Sequence, residues 1–103
     1  MPDLDLESQT NGAVATVTVR GEIDLATAPQ LREVLHELIQ GGAQEIVLDC
    51  HGLEFLDSSG IGLLVASRKR LGAGGSLVID SPPDHVRKVL ELTGVTKELS
   101  VRP

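Results

Sequence analysis

Two adjacent hydroxyls beside a carboxylate, in Leu56-Asp57-Ser58-Ser59-Gly60-Ile61-Gly62, are the residues of this chain best placed to do chemistry. They fall where a strand-like run gives way to a helical pattern, which puts them at a helix N-terminus. There the first backbone N–H groups lack internal partners, and the macrodipole contributes about half a positive charge. An anion is tolerated at such a point. A phosphate on Ser58 would add roughly −1.5 to −2 charges next to Asp57, changing the surface potential without unfolding a domain. Gly60 and Gly62 have no side chains and are expected to leave room for a partner backbone or a kinase site. The same residues also describe a plain N-cap, with Asp57 or Ser58 accepting from the first N–H groups. Residue types alone leave both readings open, and they are compatible.

Other chemistries fit less well. A serine nucleophile between strand and helix evokes the G-x-S-x-G elbow, but Leu56 stands where the first glycine is required. His36 lies within an amphipathic pattern and His85 opens another, so both read as solvated surface residues. Cys50-His51 has no further cysteine and no third ligand in spacing, and the thiol reads as a small apolar group at a strand end. Ser58-Ser59-Gly60-Ile61-Gly62 lacks the lysine and spacing of a phosphate-binding P-loop. Arg68-Lys69-Arg70 suits the last turn of a helix, where cations complement the macrodipole. No metal, cofactor or enzymatic activity is expected.

The elements that must position Ser58 follow from periodicity. Leu4-Asp5-Leu6-Glu7 alternates, Asn11-Gly12 marks a turn, and Ala13 to Val19 alternates again, which predicts a β-hairpin whose second strand ends at Gly21. Glu22-Ile23-Asp24 leads to a helix capped by Asp24 or Thr27. From Ala28 to Gln40, Leu31, Val34, Leu35, Leu38 and Ile39 form one apolar face, and Gly41-Gly42 closes it. Glu45-Ile46-Val47-Leu48-Asp49 reads as a central parallel strand covered on both faces, followed by a connection from Cys50 to Leu56. Asp57-Ser58-Ser59-Gly60 opens a second helix, which runs through Ile61, Leu64 and Val65 to Leu71. Ser76 to Ile79 is a further strand, Ser81-Pro82-Pro83-Asp84 starts a helix carrying Val86, Val89 and Leu90, and Leu99-Ser100-Val101 can form a last strand. The order implies a small α/β sandwich, with helices packed on a mixed, mainly parallel sheet.

Composition narrows the function. At 103 residues there is room for one domain, 1–103, and 41% hydrophobic residues can build a core. Phe55 is the only aromatic, so that core must be aliphatic. Few aromatics and a formal net charge of −6 argue against direct nucleic-acid binding, which uses stacking rings and clustered cations, and favour a basic partner surface. Met1-Pro2-Asp3-Leu4 shows no leader, a lone cysteine makes no internal disulfide, and no apolar run reaches the ~20 residues that cross a bilayer. A cytoplasmic monomer with no membrane contact of its own is expected.

Three stretches carry a resemblance over nearly the whole length: Gly21-Glu22-Ile23-Asp24 with Ala26-Thr27-Ala28, Val47-Leu48-Asp49 through Asp57-Ser58-Ser59-Gly60-Ile61-Gly62, and Gly74-Gly75-Ser76-Leu77 with Leu92-Thr93-Gly94-Val95. In these the chain resembles the STAS-domain family, specifically the bacterial anti-sigma factor antagonists. The resemblance implies that Ser58 is phosphorylated by an anti-sigma factor serine kinase. It further implies that the unphosphorylated form binds that kinase and frees a sigma factor, and that a serine phosphatase resets the switch. Asp24 corresponds to a family acidic residue near the phosphosite. The expected partner surface comprises Asp24, Thr27, Asp57, Ser58, Ser59, Gly60, Ile61, Gly62 and Leu64. STAS domains also serve as scaffold or regulatory parts of signalling and transport complexes, which is the alternative role.

Overall fold

The structure is a computed structural model that describes residues 3–103; Met1 and Pro2, with which the leader reading begins, lie outside the described residues. Alternation builds the first hairpin. β1 (Leu4–Asn11) and β2 (Val14–Ile23) pair antiparallel from Leu4↔Gly21 to Asn11↔Val14, with Ala15, Val17 and Val19 turned into the core. The first helix, α1 (Ala28–Gln40), has the bounds its periodicity predicts and buries Ala28, Leu31 and Leu35. It is followed by β3 (Glu45–Leu56), α2 (Ser58–Leu71), β4 (Ser76–Asp80), α3 (Asp84–Leu92), a 3-10 turn at Val95–Lys97, and β5 (Ser100–Arg102).

Strand order in the sheet is chain order, β1-β2-β3-β4-β5, and β2 to β5 run parallel. Every parallel step therefore advances in the same direction, and crossovers of one hand place all three helices on one face. A single core results, in which Leu31 and Leu35 of α1, Ile61 and Leu64 of α2, and Val86 and Leu90 of α3 join the inward row of the sheet. It is aliphatic, and Phe55 stays half exposed. This topology also gathers the loops that follow β2, β3 and β4 at one edge, the C-terminal edge of the parallel strands, where open α/β sheets generally build sites.

The structure corrects three sequence-based expectations. Gly21 does not end β2: it sits among register irregularities at Thr18/Arg20 and Gly21/Glu22, with φ +106, and a Cβ there would collide with the Asp3 carbonyl. The glycine marks a bulge, and the strand continues to Ile23. Cys50 to Leu56 is not a connection either, because β3 goes on pairing with β2 after β4 has ended, and Cys50, Leu53 and Leu56 enter the core. Finally, β3 is covered by helices on one face only. Val47 lies on the other, beside its register partners Thr16 and Val78, and is buried outside the main core. The 3-10 turn at Val95–Lys97, entered through Gly94 at φ +75, joins α3 to β5.

Candidate functional site

Asp57 joins β3 to α2. Its backbone is extended at φ −110, ψ −173, and its Oδ1 accepts from the N–H of Ser59 at 2.9 Å and of Gly60 at 3.3 Å. Asp57 is thus the N-cap and satisfies two of the donors that the helix start leaves open. The Ser59 hydroxyl also donates to this oxygen, at 2.5 Å. That hydrogen bond is the main reason the Asp57 carboxyl is held below its ordinary value, against a smaller opposing desolvation; the N–H groups of Gly60 and Ser59 add to the lowering. Ser59 is therefore occupied in the cap. Ser58 takes no part in it and is exposed at the helix start.

A second segment is tied to this one. The Asp57 N–H donates to the Ile23 carbonyl at 3.2 Å, extending the β2–β3 pairing by one residue and bringing the loop after β2 beside α2. In that loop the Asp24 Oδ1 accepts from the N–H of Ala26 at 2.9 Å and of Thr27 at 3.0 Å. The Thr27 hydroxyl accepts from the Asp24 N–H at 2.9 Å and donates to the Glu22 carbonyl at 2.8 Å. The Asp24 carbonyl accepts the Ala28 N–H at 2.8 Å. Asp24 and Thr27 together lock a turn in front of α1, although the Thr27 side chain does not itself cap that helix.

Several residues expected on a partner surface are placed otherwise. Ile61 and Leu64 point into the core, because they form the buried stripe of α2, and Thr27 is buried as a brace of its turn. Gly60 does not leave room at the surface: a Cβ there would lie 2.5 Å from Leu56 Cδ1 and 2.6 Å from Ile23 Cγ2. Its missing side chain lets α2 approach the ends of β2 and β3 closely. Gly62 does leave open space, with no atom within 4 Å of a Cβ. The outward set at this edge is Ser58 and Gly62, flanked by the partly exposed Asp24, Asp57 and Ser59.

Two exposed residues beside this set escaped the sequence reading as site residues. Leu25, on the locked turn, is 80% exposed, and Phe55, three residues before Ser58, is 45% exposed. The available signals were a leucine inside a polar turn motif and a lone aromatic next to the Asp-Ser-Ser-Gly stretch.

The remaining candidates are engaged elsewhere. His85 Nε2 is 2.6 Å from the Glu54 carbonyl, His51 Nδ1 is 2.7 Å from Asp49 Oδ1, and His36 Nδ1 is 3.0 Å from Arg70 Nη2, so each histidine has a partner other than Ser58. Cys50 is buried, and burial pushes its thiol up to about 12, which keeps it protonated and unreactive near neutral pH. Arg68 donates to the Gly72 carbonyl at 2.9 Å, serving the end of α2. No helix among the described residues is long and apolar enough to cross a membrane.

Comparison with known proteins adds an independent line. Residues 6–102 match the protein family described as "Mlab, STAS domain". The anti-sigma-B factor antagonist of Staphylococcus aureus is 33% identical over 94 residues, which span 90% of this chain and 87% of that one. The crystal structure of an anti-sigma factor antagonist from Mycobacterium paratuberculosis is similar at a TM-score of 0.90 and 28% identity, covering 98% of this chain and 86% of that chain. The anti-sigma factor antagonist SpoIIAA in its unphosphorylated form is similar at 0.80 and 28%, covering 96% and 87% respectively. The Bacillus cell fate determinant SpoIIAA in its phosphorylated form is similar at 0.72 and 26%, covering 96% and 90%.

Proposed function

The chain belongs to the STAS-domain family, and from that premise we propose that it is a cytoplasmic anti-sigma factor antagonist whose partner binding is switched off by phosphorylation of Ser58. The observation that carries this reading is the division of labour at the start of α2. Asp57 caps the helix, Ser59 is held by Asp57, and Ser58 stands exposed with its hydroxyl uninvolved in the cap. A serine that capped the helix would be costly to modify; this one is not. Relatives point the same way, since SpoIIAA is a protein with unphosphorylated and phosphorylated forms.

The partner in this reading is an anti-sigma factor that is itself a serine kinase, which the unphosphorylated chain binds and so releases a sigma factor. Kinase chemistry supplies the off-switch. To accept the hydroxyl proton and deliver a phosphoryl group, a kinase sets a carboxylate and nucleotide phosphates opposite the serine. After transfer the phosphoserine faces like charge across the interface, beside the Asp57 carboxylate of its own chain. Like-charge juxtaposition at an interface costs several kcal/mol, and ~3 kcal/mol is already more than a hundredfold in affinity. No rearrangement of the fold is needed, because a helix N-terminus tolerates the added anion. A serine phosphatase restores the binding form. The chain itself acts by binding and not by catalysis, as a single domain over 1–103.

The test is a capture experiment in the native host with three baits: wild type, Ser58→Ala and Ser58→Asp. A kinase-like anti-sigma factor should be retained by the first two and lost with the third. Equal retention by all three would leave Ser58 as part of a helix start and make this a scaffold domain.

A further inference from the structure

Among the described residues Leu25 is the most exposed of the large apolar side chains, and it stands on a hydrogen-bonded turn. The N–H groups on its C-terminal side, those of Ala26 and Thr27, are both held by Asp24 Oδ1, and the Asp24 N–H is held by the Thr27 hydroxyl. With its flanks fixed, the leucine is displayed to solvent in one place. A displayed apolar side chain on a locked loop is what a contact surface uses, since little conformational freedom is lost on docking.

Phe55 stands near it on the neighbouring strand. It pairs in register with Glu22, while the next residue, Leu56, turns into the core, so alternation sends the ring to the helix-free side of the sheet. The chain's one aromatic is thus left out of an aliphatic core and placed three residues before Ser58. The Asp57–Ile23 hydrogen bond holds the two segments together. The charges around them are acidic: Glu22, Asp24, Glu54 and Asp57 lie on these same segments, and Asp84 opens α3, which His85 ties to the Glu54 carbonyl. The cations Arg68 and Lys69 lie at the far end of α2, sharing a cleft with Lys97.

We propose that Leu25 and Phe55 are two apolar anchors of the partner interface, and that they seat on an apolar patch of the anti-sigma factor whose lysines and arginines face Glu22 and Glu54, while the kinase carboxylate and nucleotide face Ser58. The inference rests on the partner reading above and adds to it the side chains that supply affinity, as distinct from the serine that supplies control. Apolar anchors inside a charged rim are the usual division of an interface.

The probe is the recombinant anti-sigma factor recovered with the wild-type and Ser58→Ala baits, titrated against purified variants of the full chain. Leu25→Ala and Phe55→Ala should each weaken binding by about tenfold to a hundredfold, the range expected from losing one buried apolar side chain. Leu25→Met should keep most of the affinity. Leu92→Ala is the internal control, because Leu92 is 77% exposed at the other end of α3 and should leave binding unchanged. Thermal unfolding followed by circular dichroism shows that each variant is folded; Leu25→Ala, being a surface change, should melt with wild type. Wild-type affinity in both alanine variants, with Ser58→Asp still failing to bind, would overturn the anchors while the serine switch stands. Undiminished binding by Ser58→Asp would instead sink the switch reading, and weakened binding by the alanine variants would still support the anchors.

Discussion

At the scale of single residues, the carboxylate of Asp57 organises the start of α2 by taking two N–H groups and one hydroxyl on the same oxygen. Asp57→Ala should therefore lower unfolding free energy by about 1 kcal/mol, and Asp57→Asn by only a few tenths, since asparagine caps nearly as well; urea denaturation would show the difference. Protonation should act like a mild version of the same change. The Asp57 carboxyl lies below its ordinary 3.8, first because of the Ser59 hydroxyl, so the folded form binds its proton less readily than the unfolded chain. Its contribution is fully present above that ordinary value and is lost as pH falls through the lowered one. Asp49, lowered first by its hydrogen bond from His51, acts in the same direction. Ser59→Ala removes the leading cause at Asp57, so this variant should lose less stability than wild type between pH 6 and pH 3. An identical loss would mean that the hydroxyl does not hold the carboxylate. The capping role of this stretch was legible in the sequence. Which serine was spoken for was not, because Ser58 and Ser59 are equivalent in composition and only the extended backbone at Asp57 decides whose hydroxyl meets its oxygen.

At the scale of elements, two glycines of α2 that look alike in the sequence do opposite things. Gly60 faces inward, where a methyl group would press on Leu56 and Ile23, whereas Gly62 faces open space. Gly60→Ala should destabilise the fold by about 1–3 kcal/mol through overpacking. Gly62→Ala should stabilise it by up to about 1 kcal/mol by raising helix propensity. Chemical denaturation of both variants decides this, and equal effects would show that Gly60 is not a close-packing position. Periodicity found α1 to the residue because its apolar stripe repeats without interruption and glycines follow it. The same method cut β3 short at Asp49, since His51 and Gly52 break the apolar run and the irregular register with β2 breaks the alternation. It also cast Ile61 and Leu64 as contact residues, because proximity in sequence to Ser58 says nothing of which side of α2 a residue occupies. Their burial follows from the helical stripe that they share with Leu63 and Ser67.

At the scale of the whole molecule, the placement of the site is a consequence of topology. A sheet ordered as the chain runs puts every helix on one face and the loops after β2 and β3 side by side, so Asp24, Leu25 and Ser58 become neighbours although more than thirty residues separate the first from the last. The element order and the mainly parallel sheet could be read from the sequence. The one-sided cover could not, since local pattern does not reveal which face of a strand a helix will take. Because Ser58 lies outside the cap and the core, a phosphate there should leave the melting temperature nearly unchanged and act on association alone. The most direct measurement is to mix the captured anti-sigma factor kinase with the chain and ATP, following complex formation by light scattering and the modified residue by mass spectrometry. The account predicts a complex that dissolves as one phosphate arrives on Ser58, and that re-forms on treatment with a serine phosphatase. A complex that persists with Ser58 fully phosphorylated, or a phosphate found on Ser59 with Ser58 unmodified, would contradict it.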